Sequence, residues 1–362
     1  MKIFKHILLI VFAVFFATAC NDGIDPITPV DPGEDKEAPI VTLKNPTEDV
    51  IIPFTDVETD LEIEFEVTDD IEVASVVLSF DGNELGSYND FKDYRRFLST
   101  VMQEDVALGE HTVQLKATDL SGKETIESLT FEVSNKYVAK YDGEIFYMPF
   151  EGGLYMELLS ETEATVVGEP GFAAGKSRQA YSGAEDAYLT YPTENLLGDE
   201  FSAAFWYKIK LDEEPHRAGI LVIGPPDPLL PLTPNNRKNG FRFFREGNTT
   251  NQTFKLNVGN GTADTWVDGG AAASINPSTV TGWIHLAFTI SAAECIVYIN
   301  GEVVKQVPFT GVDWTGCDIL SIMSGAPRFT EWNHWSDHSS LDELRLFNKA
   351  LTQAEVKSVM GS

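Results

Sequence analysis

The sequence predicts an all-β protein: two antiparallel β-sandwiches in series, the second ending in a short C-terminal helix. Three observations predict it. In Gly282–Gly301, Ile284, Leu286, Phe288 and Ile290 alternate with Trp283, His285, Ala287 and Thr289. After the turn Ala292-Ala293-Glu294, Cys295, Val297 and Ile299 alternate with Ile296 and Tyr298, and Asn300-Gly301 closes the run. A period of two on both sides of a tight turn is the mark of a hairpin, and a hairpin needs flanking strands and a second sheet beneath it. Second, Ala38–Ser134 carries short alternating runs at Ile40–Leu43, Leu61–Val67, Ala74–Phe80, His111–Ala117 and Ser128–Val133, with turn residues at Asp69-Asp70, Asp81-Gly82 and Ser121-Gly122. That spacing predicts a sandwich. Third, Thr352 and Glu355 form a capping box, with Leu351 and Val356 at the staple positions and Val359 and Met360 completing an apolar stripe.

Three stretches in register carry a resemblance for residues 138–362. They are Ala187–Tyr191 with Glu200–Ile209, then Trp283–Thr289 with Val297–Val304, then Ser340–Leu351 before the helix. Together they resemble laminin-G-like, concanavalin A-type jelly rolls. The resemblance implies a two-sheet antiparallel jelly roll that is often carbohydrate-binding and often holds a structural calcium ion. It places Glu151, at the end of the aromatic run from Glu144, and Asp342 where that ion would be held. The fold itself carries lectins, adhesion modules and enzymes. In the first sandwich, residues 38–134, the runs Asp70–Leu78, Phe80–Leu85, Leu108–Val113 and Ala117–Gly122 resemble bacterial immunoglobulin-like modules, which most often act as spacers. Phe91–Met102, with Tyr94, Arg95, Arg96 and Phe97 together, is read as an irregular excursion between strands. Glu62, Glu64 and Glu66 alternate with Ile63, Phe65 and Val67 and are read as a solvated strand face.

Residues 1–20 stand outside the fold. Lys2, Lys5 and His6 precede the apolar Ile7–Phe16, too short for a comfortable membrane span. Ala17-Thr18-Ala19-Cys20 resembles a bacterial lipobox, which implies a signal peptide ending at an acylated Cys20. Acyl chains contribute roughly 0.8 kcal/mol per buried CH₂. Residues 21–37 are acidic, with Pro26, Pro29 and Pro32, and compose an extended tether. Asp22 and Asp25 directly after the cysteine resemble the surface-export signal of lipoproteins in the Bacteroidetes group. The expectation is a lipid-anchored outer-membrane protein exposed at the cell surface.

The chain holds 26 basic and 56 acidic residues, a formal net charge of −30. Phosphate backbones need a basic face, so nucleic acid is excluded as a partner, and direct binding to anionic lipid with it. Cys295 and Cys317 would lie in an oxidising compartment. They either bridge neighbouring strands or stay as two buried thiols; spacing in sequence does not supply the geometry a bridge requires.

No catalytic motif is present in the sequence. Retaining glycosidases of this fold carry E-x-D-x-x-E on one strand, which sets two carboxylates on one face; Glu185-Asp186 and Asp342-Glu343 are adjacent and on a regular strand point to opposite faces. His334 and His338 are a loose pair, too few for a zinc site. Binding chemistry is better represented. Glu331–His338 places Trp332 and Trp335 beside Asn333, His334 and Asp337, with Arg328 nearby. Sugars offer flat C–H faces to aromatic rings and hydroxyls to amides, carboxylates and guanidinium groups. Trp266, Phe244, Arg242 and Arg245 form a second tier: if they line one concave face their arginines would match a uronate or sulfate bidentately, and the simpler alternative is a scattered surface set. The loop Pro225–Gly240 has five prolines, apolar Leu229, Leu230 and Leu232, and basic Arg237 and Lys238. A loop of that length in a sandwich is functional or mobile. The expected function is therefore capture of a polysaccharide without cleavage. The architecture resembles surface glycan-binding proteins that work beside an outer-membrane importer. An adhesion or scaffold protein, and an unrecognised lyase or hydrolase, are the alternatives.

Overall fold

The computed structural model describes residues 33–210 and 216–361; the leader, Cys20 and tether residues 21–32 lie outside the described residues. The described chain is antiparallel β-structure joined by turns and loops, with one short 3-10 turn at Gly270–Ala273 and one α-helix, Gln353–Met360. It divides into two units. The first takes residues up to Val50 and Glu58–Ser134, and the second takes Ile51–Val57 and residues from Asn135 on.

In the first unit, Ile40–Asn45, Glu58–Thr68 and Arg96–Ala107 form one sheet. A second carries Glu124–Ser134, Gly109–Asp119, Val73–Phe80 and Asn83–Tyr88 in that order. Leu61, Ile63, Phe65 and Val67 are buried while the intervening glutamates are not. Glu66 is held by Lys44 at 2.7 Å and by Arg96 at 2.5 Å, so the acidic run is a strand face carrying its own counter-ions. The excursion read at Phe91–Met102 is corrected. From Arg96 onward the chain is a twelve-residue strand paired with Glu58–Thr68. Its period was masked because Leu98 and Met102 are exposed apolar residues on the outward parity, so polarity does not alternate.

The second unit is built on two eight-stranded sheets. Sheet I runs Thr165–Val167, Tyr188–Pro192, Ile319–Ile322, Arg217–Ile223, Phe241–Asn248, Asn251–Gly259 and Asp264–Asp268, with Ser274–Ile275 beside Asn251–Gly259. Sheet II runs Gly171–Ala174, Gln179–Ser182, Ser340–Phe347, Phe201–Lys208, Ile284–Ile290, Glu294–Ile299 and Glu302–Pro308, with Glu144–Met148 on Ser340–Phe347. The predicted hairpin lies inside sheet II: Leu286 pairs with Ile299 and Ile290 with Cys295. Asn300 and Gly301, at φ 51° and 75°, make its exit turn, where two consecutive left-handed residues are required.

Aromatic rings fill the space between the sheets. Phe201 of sheet II meets Phe241 of sheet I at 5.1 Å, Phe205 meets Phe243 at 6.0 Å, and Tyr207 meets Phe254 at 5.7 Å. Such pairs add to the burial of apolar area. Sheet II is covered on its outer side as well. Ala204, Ala287, Tyr298 and Phe347 pack against Leu351, Val356 and Val359 of the helical end, which is why all seven residues of Ile284–Ile290 are buried. The helix starts as predicted: Thr352 accepts from the Glu355 N–H, and Glu355 accepts from the Thr352 N–H.

Of the two alternatives for Cys295 and Cys317, the bridge is not formed; both are free and buried. Cys295 lies on a strand of sheet II, and Cys317 precedes a strand of sheet I. The cysteines are therefore not on neighbouring strands, and burial pushes each thiol up to about 12.

Candidate functional site

Strand parity decides what sheet I presents outward. Phe241 and Phe243 point into the core, as do Phe254, Leu256 and Val258 on the next strand. Arg242, Phe244 and Glu246 therefore share the opposite face. Register carries that face across the sheet: Arg242 lies opposite Asn257 and Asn257 opposite Trp266, while Phe244 lies opposite Lys255 and Lys255 opposite Asp268.

Residues 324–336 fold down onto this face. Gly219 and Gly325 make the approach possible: a Cβ on Gly219 would stand 2.1 Å from the Gly325 nitrogen, far inside van der Waals contact. Val222, Phe244 and Phe329 form a small buried cluster with Trp332 packed against it. Trp332 meets Phe329 edge-on at 6.2 Å, and Trp266 meets Phe244 edge-on at 6.0 Å. The two indoles stand 6.4 Å apart at 34°. Trp266 is 38% exposed and Trp332 is half-buried. Arg237, from the proline-rich loop, lies against both rings, its guanidinium 5.8 Å from Trp266 and 5.0 Å from Trp332. Asp264 fixes it at 3.2 Å while accepting from Asn257 Nδ2 at 2.9 Å.

Beside the indoles runs a charge network. Lys255 pairs with Glu246 at 3.1 Å and Asp268 at 2.9 Å. His334 Nε2 lies 3.1 Å from Glu246. Burial holds His334 below its ordinary value, so it is neutral at pH 7 and donates that bond. The His334 hydrogen bond, against burial and with help from Lys255, brings Glu246 down to about 2. Burial is the largest influence on Asp268 and raises it, but the Lys255 hydrogen bond, the Gly270 N–H and the Lys255 charge together outweigh it and leave that carboxyl lowered too. The face thus combines two accessible indoles, an arginine and ionised carboxylates.

The loop Pro225–Gly240 is anchored from within. Asp227 accepts from the N–H groups of Leu229, Leu230 and Asn235 at 3.1–3.2 Å. The Asn235 side chain bonds Glu331. Arg242, fully buried, donates to the Asn236 carbonyl and is pushed down to about 10 by burial.

The predicted site residues divide. Trp266 and Trp332 come together. Trp335, 43% exposed, stands apart from their ring contacts, its carbonyl accepting from Gly219. Asn333 is exposed, in a left-handed turn, and Arg328 is engaged by Asp318 at 2.7 Å. Two candidates are corrected. His334 has no exposed surface and stacks on Phe329 at 4.5 Å, so it supports the face from beneath. Arg245 has the parity of Phe241 and Phe243 and lies between the sheets. It donates twice to Asp337 at 2.9 Å and once to Gln252 at 2.8 Å, and Tyr207 donates to the same Asp337 at 2.5 Å. Arg237, Lys255, Glu246 and Asp268 were not singled out as site residues. The outward parity of Lys255 against Phe254 and Leu256 was the available signal.

Glu151 and Asp342, the pair expected to hold calcium, each face backbone N–H groups. Asp342 Oδ2 accepts the N–H groups of Lys176 and Ser177 at 2.7 and 2.9 Å, and Oδ1 accepts that of Glu343 at 2.9 Å. Glu151 faces the Gln179 N–H at 3.4 Å. Among the described residues no three His, Cys, Asp or Glu side chains gather. Asp342 and Glu343 do not point to opposite faces: Glu343, at φ 54°, sits where the register shifts, and Leu341 and Leu344 take the core positions.

Residues 182–357 match the family model described as the concanavalin A-like lectin/glucanases superfamily, and the second unit is a jelly roll of that type. No curated protein matches the chain. Among solved structures, it is similar to domain 4 of AbnA, a GH43 extracellular arabinanase from Geobacillus stearothermophilus, in complex with arabinotriose. Identity is 18%, over 60% of this chain and 99% of that one, with a TM-score of 0.45. It is also similar to the binding domain of botulinum neurotoxin DC in complex with rat synaptotagmin II, at 12% identity, 61% and 51% coverage and TM-score 0.43. The binding domain of Paraclostridial Mosquitocidal Protein 1 gives 13%, 60%, 52% and 0.42. The chain thus spans about half the length of these two toxin domains.

Proposed function

We propose that the second unit binds a polysaccharide on the outer face of sheet I without cleaving it. The observation that carries this is the pair Trp266 and Trp332, 6.4 Å apart and both solvent-accessible, with Arg237 against both rings. A pyranose C–H face packs on an indole, and the flanking Arg237, Asp268 and Lys255 supply hydrogen bonds to hydroxyls. The match to a lectin and glucanase superfamily agrees with a saccharide ligand. Binding is favoured over hydrolysis on this face because both of its carboxyls are held below their ordinary values, Glu246 by His334 and Lys255, and Asp268, against burial, by Lys255 and the Gly270 N–H. A glycosidase needs one carboxyl kept protonated near neutral pH to act as the acid.

The wider reading rests on the leader. Acylated at Cys20, the chain is an outer-membrane lipoprotein exposed at the surface, its first unit an immunoglobulin-like spacer, and it delivers glycan to an importer. Labelled palmitate incorporated by the parent and not by Cys20→Ala checks the anchor.

The binding reading is tested by affinity electrophoresis of the full chain in gels containing neutral, uronic or sulfated polysaccharides. Retardation by one class, weakened in Trp266→Ala/Trp332→Ala, is the expected result. Truncating a buried aromatic anchor costs about 2 kcal/mol or more, roughly 30-fold in affinity per ring. Retardation unchanged in the variant would reject this site. Release of new reducing ends or unsaturated product would reject the non-catalytic reading. No retardation by any glycan would favour a protein partner, for which Leu229 and Leu232, 88% and 87% exposed on the proline-rich loop, are the specific support.

A further inference from the structure

Sheet II carries a second concave site, on the part of its outer face that the helix leaves uncovered. It is a cavity of about 500 Å³, within the range of ligand pockets. Tyr147 from Glu144–Met148, Trp206 from Phe201–Lys208, and Arg345 from Ser340–Phe347 line it, with Tyr137 alongside. The Tyr137 and Tyr147 rings are 4.5 Å apart. Trp206 is half-buried and seated edge-on to His285 at 5.3 Å.

The charges in this cavity fall into two groups. Arg345 is internally satisfied. It pairs with Glu144 and, at 3.2 Å, with Glu343, and its guanidinium lies 3.6 Å from the centre of the Tyr147 ring. The lysines are different. The Lys176 ammonium lies 4.5 Å from the centre of the Trp206 ring, and that of Lys140 lies 5.6 Å from the centre of Tyr141. Among the described residues neither ammonium has a carboxylate partner, although acidic side chains outnumber basic ones 56 to 26. Arg345, Glu144 and Glu343 sum to −1, and the two lysines turn the cavity to +1.

Lys176 is also held in place. Its own N–H and that of Ser177 bond the buried Asp342 carboxylate at 2.7 and 2.9 Å. Gly175 allows this turn, because a Cβ there would stand 2.7 Å from Asp342 Oδ2 and 2.1 Å from the Ser177 carbonyl. A buried carboxylate thus fixes the backbone from which an unpaired ammonium is presented over a tryptophan at the rim of an aromatic cavity.

We propose that this cavity is a second saccharide site, specific for a sugar bearing an anionic group. The ring carbons pack on Trp206, which is half-buried, while Tyr147, covered by Arg345 and Tyr137, forms the floor; the carboxylate or sulfate meets Lys176 and Lys140. It goes beyond the first site in naming the ligand's charge and does not depend on Trp266 or Trp332.

The test uses the full chain with Trp266→Ala and Trp332→Ala, so that the first face is disabled. Tri-galacturonate, its carboxyl-reduced neutral counterpart and a sulfated galactan trimer are each titrated by calorimetry. At least one acidic oligomer binds, the neutral one does not, and affinity falls steeply with salt. Adding Lys140→Ala and Lys176→Ala weakens the acidic oligomer at least tenfold, while Lys→Arg at both positions retains it; both lysines are exposed, so the fold is kept. Binding unaffected by loss of both lysines overturns the proposal, as does binding of the neutral oligomer with equal affinity. If the parent binds and the Trp266→Ala/Trp332→Ala chain binds none of the three, the first site stands alone and this one is rejected. Polysaccharide retardation of the parent that survives loss of both lysines leaves the first site intact either way.

Discussion

Replacing Arg245 with methionine separates a structural arginine from a ligand-binding one. Arg245 and Asp337 are 3% and 0% exposed, and the carboxylate also takes Tyr207 Oη at 2.5 Å and the Ser339 N–H at 3.0 Å. Burial opposes both charges, but their mutual attraction outweighs it, raising Arg245 and lowering Asp337. Methionine fills similar volume yet leaves Asp337 buried without its cation. Breaking such a pair from one side costs about 3–5 kcal/mol. For a unit of this size, 1 kcal/mol moves Tm by about 2–4 °C, so a fall of roughly 6–20 °C is expected at pH 7. Tryptophan emission isolates the event, because all six tryptophans lie between residues 206 and 335, in the second unit. Arg245→Met with Asp337→Leu should recover most of the loss, since an apolar pair of similar volume removes the stranded charge. A single variant that melts within 2 °C of the parent while losing saccharide binding would refute the reasoning and return Arg245 to the ligand site.

Two further outcomes follow from burial. His285 is buried against Trp206 and pushed down to about 4 by desolvation. A base whose folded pKa lies below its unfolded value of about 6.5 contributes stability above pH 6.5 that is lost as pH falls toward 4, about 3 kcal/mol in all. Asp342, pushed up to about 7 by burial, acts in the opposite sense in the same window. The measurement is therefore the difference between parent and His285→Gln: the variant should lose less stability between pH 6.5 and 4, and an identical slope would rule His285 out. Cys295 and Cys317 should resist a thiol reagent in the native chain and both react in denaturant without reductant; thiols that stay unlabelled there would show a disulfide.

What was legible in the sequence, and what was not, follows from strand parity. Period-two alternation reports which residues share a face, and it gave the hairpin at Gly282–Gly301 without ambiguity. It does not report whether the other face is solvated. Phe241–Arg245 is buried at all five positions, because residues 324–336 cover one side and sheet II the other. Both arginines of that run looked like surface residues by chemistry. Parity alone would have sorted them: Arg245 goes with Phe241 and Phe243 into the core, and Arg242 goes with Phe244 to the outer face. The same argument places Lys255 and Trp266 outward. Trp332 and Trp335 had no parity to read, since their stretch is not a strand, and three residues of irregular loop were enough to send one to Trp266 and leave the other apart.

The two proposed sites show why sandwich outer faces are where function has to be sought in this chain. Among the described residues, the space between the sheets is filled by aromatic and aliphatic side chains and by the Arg245–Asp337 ion pair. Each outer face is covered only in part, by residues 324–336 on sheet I and by the helical end on sheet II. Where cover stops, aromatic side chains that began as edge packing are left half-exposed: Trp266 and Trp332 on one sheet, Trp206 on the other. In both places a basic residue from a loop lies against the indole, Arg237 at 5.0 Å from Trp332 and Lys176 at 4.5 Å from Trp206. The difference is the counter-ion. Asp264 neutralises Arg237, which suits hydroxyl recognition, whereas among the described residues the Lys176 ammonium has no carboxylate partner. If charge at the rim sets ligand class, exchanging it should exchange preference. Asp264→Asn, which frees Arg237, should strengthen binding of acidic oligomers at the first site and steepen its salt dependence. If neither changes, the aromatic faces alone determine what these sites accept.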